Sequence, residues 1–180
     1  MSERSERPGE VSDEQQAFGH GVNQRDQIKM TPEEIAEFLG GVHTMNCATH
    51  NHDGTIHLVA MWYGFLEGCP ALETKAKSQK VANLRRNPHI TCLVEEGRSY
   101  DELRGVEIVG TAEIIDDRER MFELGISVFE RHNDVQYTPE LKPFVEQMLH
   151  KRVVVKINPE KYVTWDHRKL GLPAMRPTVD

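Results

Sequence analysis

The chain has 180 residues, of which 38% are hydrophobic, and carries a formal net charge of -7. That length suits one domain able to bury a core without staples, and the acidic balance argues against nucleic acid or an anionic membrane as the main partner. Three cysteines without CxxC spacing, no apolar run of membrane-span length and no apolar leader lead to the expectation of a reducing, cytoplasmic setting.

In chain order, residues 1–29 are rich in Ser, Glu, Arg, Gln and Asp, with Phe18 and Val22 among the few large apolar side chains. Such a segment buries too little surface to offset the entropy of ordering, so a disordered N-terminal tail is expected there. The folded domain is expected over residues 30–170. Thr31 and Glu34 fit a capping box with Pro32 at the first helical position, and Ile35, Phe38 and Leu39 share a face before Gly40-Gly41. Asp53-Gly54 between two β-prone runs signals a hairpin. The second run, Thr55–Leu66, is apolar on both alternating faces, so it must be covered on both sides, by core on one and by ligand, helix or subunit on the other. Gly64 within it marks a bulge or a close approach.

Leu72–Pro88 follows, reading LETKAKSQKVANLRRNP. It is read as a strand end at Thr74, a polar turn, and a helix with Ser78 as N-cap and Asn87-Pro88 as stop. In an acidic chain this window concentrates Lys75, Lys77, Lys80, Arg85 and Arg86 against Glu73, with Thr74, Ser78 and Gln79 among them. Unpaired N–H groups at a helix start favour a phosphate there. Strands are expected at His89–Glu95 and Gly105–Ile115. A helix capped by Asp116 or Asp117 carries the stripe Met121, Leu124, Val128 and Phe129. A second, from Thr138-Pro139, carries Leu141, Phe144, Val145, Met148 and Leu149. Both stripes are read as core. Closing strands Arg152–Ile157 and Lys161–Asp166 are divided by Asn158-Pro159, and residues 171–180 form an irregular C-terminal tail. Six or seven strands joined mostly by short turns make a mainly β, α+β fold: a small antiparallel barrel with helices over its ends.

His43, His50, His52 and His57 lie near one another in sequence, but no companion Cys or Glu stands at ligand spacing, so no metal is assigned. GxSxG, the P-loop and GxGxxG are absent, and Gly105–Gly110 lies within a strand. The informative pairing is the strand bearing Met61, Trp62 and Tyr63 directly followed by the cationic turn. It suits a flat aromatic ligand with a phosphate handle, a subunit interface that uses the aromatics, or a ligand at that interface.

The run Leu72–Lys80 with Asn83–Pro88 resembles the signature of the pyridoxamine 5'-phosphate oxidase-like superfamily: Thr74, then Ser78 and Lys80, then Asn87-Pro88. The likeness extends through Trp165–Leu170. It implies an antiparallel split β-barrel of the FMN-binding type and a homodimer with cofactors at the subunit interface. Coenzyme F420, a deazaflavin, or FMN is the implied ligand. Thr74, Lys75, Ser78, Gln79 and Lys80 would contact its phosphate; His57, Val59, Ala60, Met61 and Trp62 would border its ring. His57 and Trp62 stand where true pyridoxamine phosphate oxidases carry Arg and Lys, and the C-terminal Arg–x–His is missing, so that reaction is not expected. The spelling Leu84–Pro88 is closer to the deazaflavin branch. The resemblance therefore implies hydride transfer between F420 and a small conjugated substrate. The alternatives are an FMN oxidoreductase and a non-catalytic flavin, deazaflavin or haem binder. Tyr63 and His57 neighbour the ring position, and no general acid is assigned.

Overall fold

Backbone pairing in the computed structural model, which describes residues 23–175, gathers seven antiparallel strands into one curled sheet. They are β1 (Met45–His50), β2 (Ile56–Met61), β3 (Gly64–Leu66), β4 (Cys69–Lys75), β5 (His89–Glu96), β6 (Arg104–Ile115) and β7 (Arg152–Asp166). Their order is β2-β1-β5-β6-β7-β4-β3, with helices between and over them. This is the α+β split barrel expected from the sequence. Of the expected tail, residues 1–22 lie outside those described. Beyond them α1 (Gln24–Gln27) precedes Ile28, whose carbonyl accepts from the Asp166 N–H at 2.7 Å. Of the expected C-terminal tail, residues 176–180 also lie outside.

Local chemistry explains the frame. The capping box of α2 (Pro32–Gly40) is formed, with Thr31 N–H donating to Glu34 Oε2 at 2.7 Å and Glu34 N–H to Thr31 Oγ1 at 3.3 Å. At the β1–β2 turn, Gly54 takes φ +85° and Asp53 accepts from the Thr55 N–H. Met45, Cys47, Leu72, Cys92, Val106, Ile108, Val155 and Ile157 fill the barrel interior. On the outer face, α4 (Arg118–Asn133) lays Met121, Leu124 and Val128 over Leu66, Ala71, Ile115 and Val154.

Three expected boundaries change. Thr55–Leu66 is two strands, because β2 pairs with β1 whereas β3 pairs with β4 at the opposite end of the sheet. Trp62 and Tyr63 make the crossing; Tyr63 is fully buried and donates its hydroxyl to the Leu39 carbonyl at 2.8 Å. The two expected closing strands are one, since the pairing shift opposite Val109/Gly110 leaves Glu160 as the extra residue of a bulge and lets Pro159 sit opposite Gly110. The second helix opens as a 3₁₀ turn (Pro139–Leu141) before α5 (Lys142–Met148). Its stripe is not all core: Val145 is buried, but Phe144 is 55% exposed.

Candidate functional site

Curling of the sheet brings its two ends toward each other. β3 pairs with β4 only over Gly64↔Ala71 to Leu66↔Cys69, so the β4 edge beyond Ala71 is left without that neighbour, and β2 is the opposite terminal strand. A cleft of about 480 Å³ takes Ala60, Met61 and Trp62 from the β2 end and Glu73 from β4. Val128, Asn133, Phe144 and Met148 of the helical pair α4–α5 roof it, and Arg152 of β7 completes it. Trp62 is 54% exposed and stacks on His132, ring centroids 4.7 Å apart and planes 5° from parallel. The His132 Nε2 lies 3.1 Å from the Tyr63 carbonyl, and burial pushes the imidazole below its ordinary pKa.

The cationic turn folds as a compact cradle. α3 (Gln79–Arg86) begins after Ser78, which has N-cap backbone geometry but no side-chain capping bond. Its hydroxyl instead accepts from Thr74 Oγ1 at 3.3 Å, and Lys80 Nζ donates to Thr74 Oγ1 at 3.0 Å. Lys80 is 8% exposed, and among the described residues no carboxylate pairs with it. Burial holds its ammonium below the ordinary lysine pKa. An ammonium has three donors, and among the described residues one is used. Hydroxyls, spare ammonium protons and an uncapped helix start fit a phosphate oxygen set.

The expected site residues divide. Thr74, Ser78 and Lys80 meet in the cradle; Ala60, Met61 and Trp62 line the cleft. Lys75 turns away and donates to the His150 carbonyl at 3.2 Å. Gln79 donates to Asn83 Oδ1 at 2.9 Å, joining the network in which Asn83 reaches Thr49 and Asn51. His57 and Val59 are half-buried on β2 opposite Thr49 and Cys47 and do not line the cleft. Tyr63 is locked in the core by Leu39 and by Arg131, whose Nη2 is 2.9 Å from its hydroxyl. Sequence reasoning missed Glu73, Asn133, Phe144 and Arg152. Glu73 had one usable signal, a lone acid inside the apolar strand CPALETK. Among the described residues no three His, Cys, Asp or Glu side chains converge to hold a metal, and no helix is long and apolar enough to cross a membrane.

A split antiparallel barrel with a hydroxyl–lysine cradle beside an aromatic cleft places the chain in the class of split β-barrels. The family model for pyridoxamine 5'-phosphate oxidase matches residues 31–166, and the chain belongs to that family. It is similar to the crystal structure of a conserved hypothetical protein from Mycobacterium tuberculosis: 49% identity, TM-score 0.82, covering 87% of this chain and 97% of that one. An F420 reductase shares the fold at 22% identity, TM-score 0.56, covering 73% of this chain and 98% of that one. The heme storage protein from Vibrio cholerae shares it at 16% identity, TM-score 0.56, with 74% and 92% covered. No curated protein matches the chain.

Proposed function

We propose that the chain is an oxidoreductase that uses coenzyme F420, with FMN as the alternative occupant, acts on a small conjugated substrate and works as a homodimer with the cofactor at the subunit interface. The observation that carries this reading is Lys80: a buried ammonium with a hydroxyl for a partner and no carboxylate, beside an uncapped helix start. Lys80, Thr74 and Ser78 would hold the phosphate, and Ala60, Met61 and Trp62 would border the ring. Bound there, either cofactor supplies hydride transfer. The residues themselves bind and orient, and the α4–α5 roof with Phe144 and Met148 keeps water from one side of the cleft. The F420 reductase among the structural neighbours supports this choice of cofactor.

A second reading, a binder without turnover, draws on the position of Tyr63. Its hydroxyl is occupied in the core, and burial raises its pKa, so it offers no proton to the cleft. Titration with F420 and with FMN tests both readings at once, and turnover of the reduced cofactor separates them. The expected result is a raised thermal midpoint and a change in Trp62 fluorescence that a Trp62→Phe chain lacks. Lys80→Ala with Ser78→Ala lowers cofactor affinity by about 10- to 100-fold, as loss of charge-assisted hydrogen bonds requires. No midpoint shift with either cofactor removes the oxidoreductase and binder readings alike. Tight binding without oxidation of reduced cofactor by enones or quinones selects the binder.

A further inference from the structure

The floor of the cleft holds two polar groups that the phosphate cradle does not use. Glu73 is 7% exposed on the face of β4 that also carries Cys69, Ala71 and Lys75, and among the described residues its Oε2 has no hydrogen-bond partner. Arg152 stands on the neighbouring strand: Glu73 is directly opposite Val154, so Arg152 is two residues along on the same face. The pair does not close on itself. Arg152 Nη1 stays 3.8 Å from Glu73 Oε1, beyond hydrogen-bond length, and Arg152 Nε is also buried without a partner. Burial raises the Glu73 carboxyl above its ordinary pKa, with the charges of Arg152 and Lys75 opposing. Orphaned acceptors and donors at buried positions are rare because each is costly, and two on one cleft floor ask for a shared ligand.

The charges limit what that ligand can be. A carboxylate would pair with Arg152 and be repelled by Glu73. An ammonium would meet the reverse. A neutral group that carries a donor beside an acceptor satisfies both, and a cyclic amide edge does so in one plane. Trp62, Phe144 and Met148 bound the same space with flat or adaptable apolar surface. We propose that Glu73 and Arg152 form a recognition edge that takes a planar conjugated ring through its cyclic amide, the carboxyl facing the ring N–H and the guanidinium the adjoining carbonyl. The proposal rests on the cleft being a ring site, as in the oxidoreductase reading. The edge recognised belongs either to the pyrimidine-dione of the cofactor or to a lactam-bearing substrate.

Lumiflavin tests this without the phosphate cradle, because it has the ring, a single N–H and no phosphate; 3-methyllumiflavin lacks that N–H. Full-length protein is titrated with both. Wild type is expected to bind lumiflavin at least about tenfold more tightly, the loss that follows from leaving a buried acceptor unmet. Glu73→Met keeps the bulk and removes the acceptor, so the two flavins should then bind within about twofold of one another. Arg152→Met should weaken lumiflavin by about tenfold. Equal wild-type affinities, no lumiflavin binding, an unchanged ratio in Glu73→Met or unchanged affinity in Arg152→Met each overturns the proposal. The wild-type ratio decides even if a variant fails to fold. Repeating the titration with saturating FMN or F420 assigns the edge: competition gives it to the cofactor ring, independence to the substrate. Lumiflavin discrimination with neither phosphorylated cofactor bound leaves this edge standing and removes the phosphate reading.

Discussion

Lys80 is an unstable choice for a position that matters only to the fold. Its ammonium has given up water for one hydroxyl at 3.0 Å, and a buried cation without a counter-charge disfavours the folded state. A methionine there has similar reach and nothing to desolvate. Lys80→Met should therefore raise the thermal midpoint of the ligand-free chain by a few degrees, since about 1 kcal/mol moves a domain of this size by roughly 2–4 °C, while phosphate-dependent stabilisation disappears. The pH dependence follows from the lowered pKa. Between that value and the ordinary 10.5 of a free lysine, the unfolded chain holds more protons than the folded one, so stability rises with pH across the window. Melting curves toward pH 10 should show this rise in wild type and lack it in Lys80→Met. A variant less stable than wild type without ligand would show that Lys80 is held by interactions within the chain.

At the level of elements, the crossing from β2 to β3 depends on the close seat of α4. A Cβ on Gly64 would lie 2.7 Å from Ser127 Oγ and 3.1 Å from Val128 Cγ2, and that same Oγ accepts the Phe65 N–H at 2.9 Å. Gly64→Ala should cost about 1–3 kcal/mol in a denaturant titration, the usual penalty of overpacking. Because Val128 also lines the cleft, lumiflavin affinity should fall with it; an unchanged unfolding midpoint would mean that α4 can shift freely. Much of this was legible beforehand. The Thr31–Glu34 capping box, the Asp53-Gly54 turn, the close approach at Gly64 and the α4 stripe are local patterns, and each is set within a few residues. The break at Trp62-Tyr63 was not legible, because twelve continuous β-prone residues do not say that their halves pair at opposite ends of a sheet. Pro159 looked like a terminator for a related reason: whether proline ends a strand or is carried through next to a bulge depends on the partner strand, which here sets Gly110 opposite it. Of the site, the hydroxyl–lysine cradle could be read from spacing. Glu73 and Arg152, 79 residues apart in the sequence, meet only through β4–β7 pairing, and Phe144 reads as core until the packing leaves it beside the cleft.

Across the whole molecule, the outer face of β2 is the least settled surface. Ile56 is 53% exposed, Leu58 65% and Trp62 54%, and β2 is a terminal strand with one backbone edge unpaired by β1. A chain that stayed monomeric would interrupt such a stripe with charge, since open apolar edges recruit other strands. This chain has a net charge of -7 but puts no acid or lysine within Ile56–Met61. The stripe also continues through Ala60 and Trp62 into the cleft, so whatever covers it would border the bound ring. In the homodimer proposed above, the second subunit is that cover. Leu58→Glu, at the most exposed point and outside the cleft lining, should then give a folded monomer in sedimentation velocity. Its circular dichroism should match wild type and its cofactor affinity should be at least about tenfold weaker, because a charge buried at an interface without a partner costs several kcal/mol. A Leu58→Glu chain that keeps the wild-type sedimentation coefficient and affinity would move the subunit contact to another face. The cleft would then have to bind its ring with the residues of one chain alone.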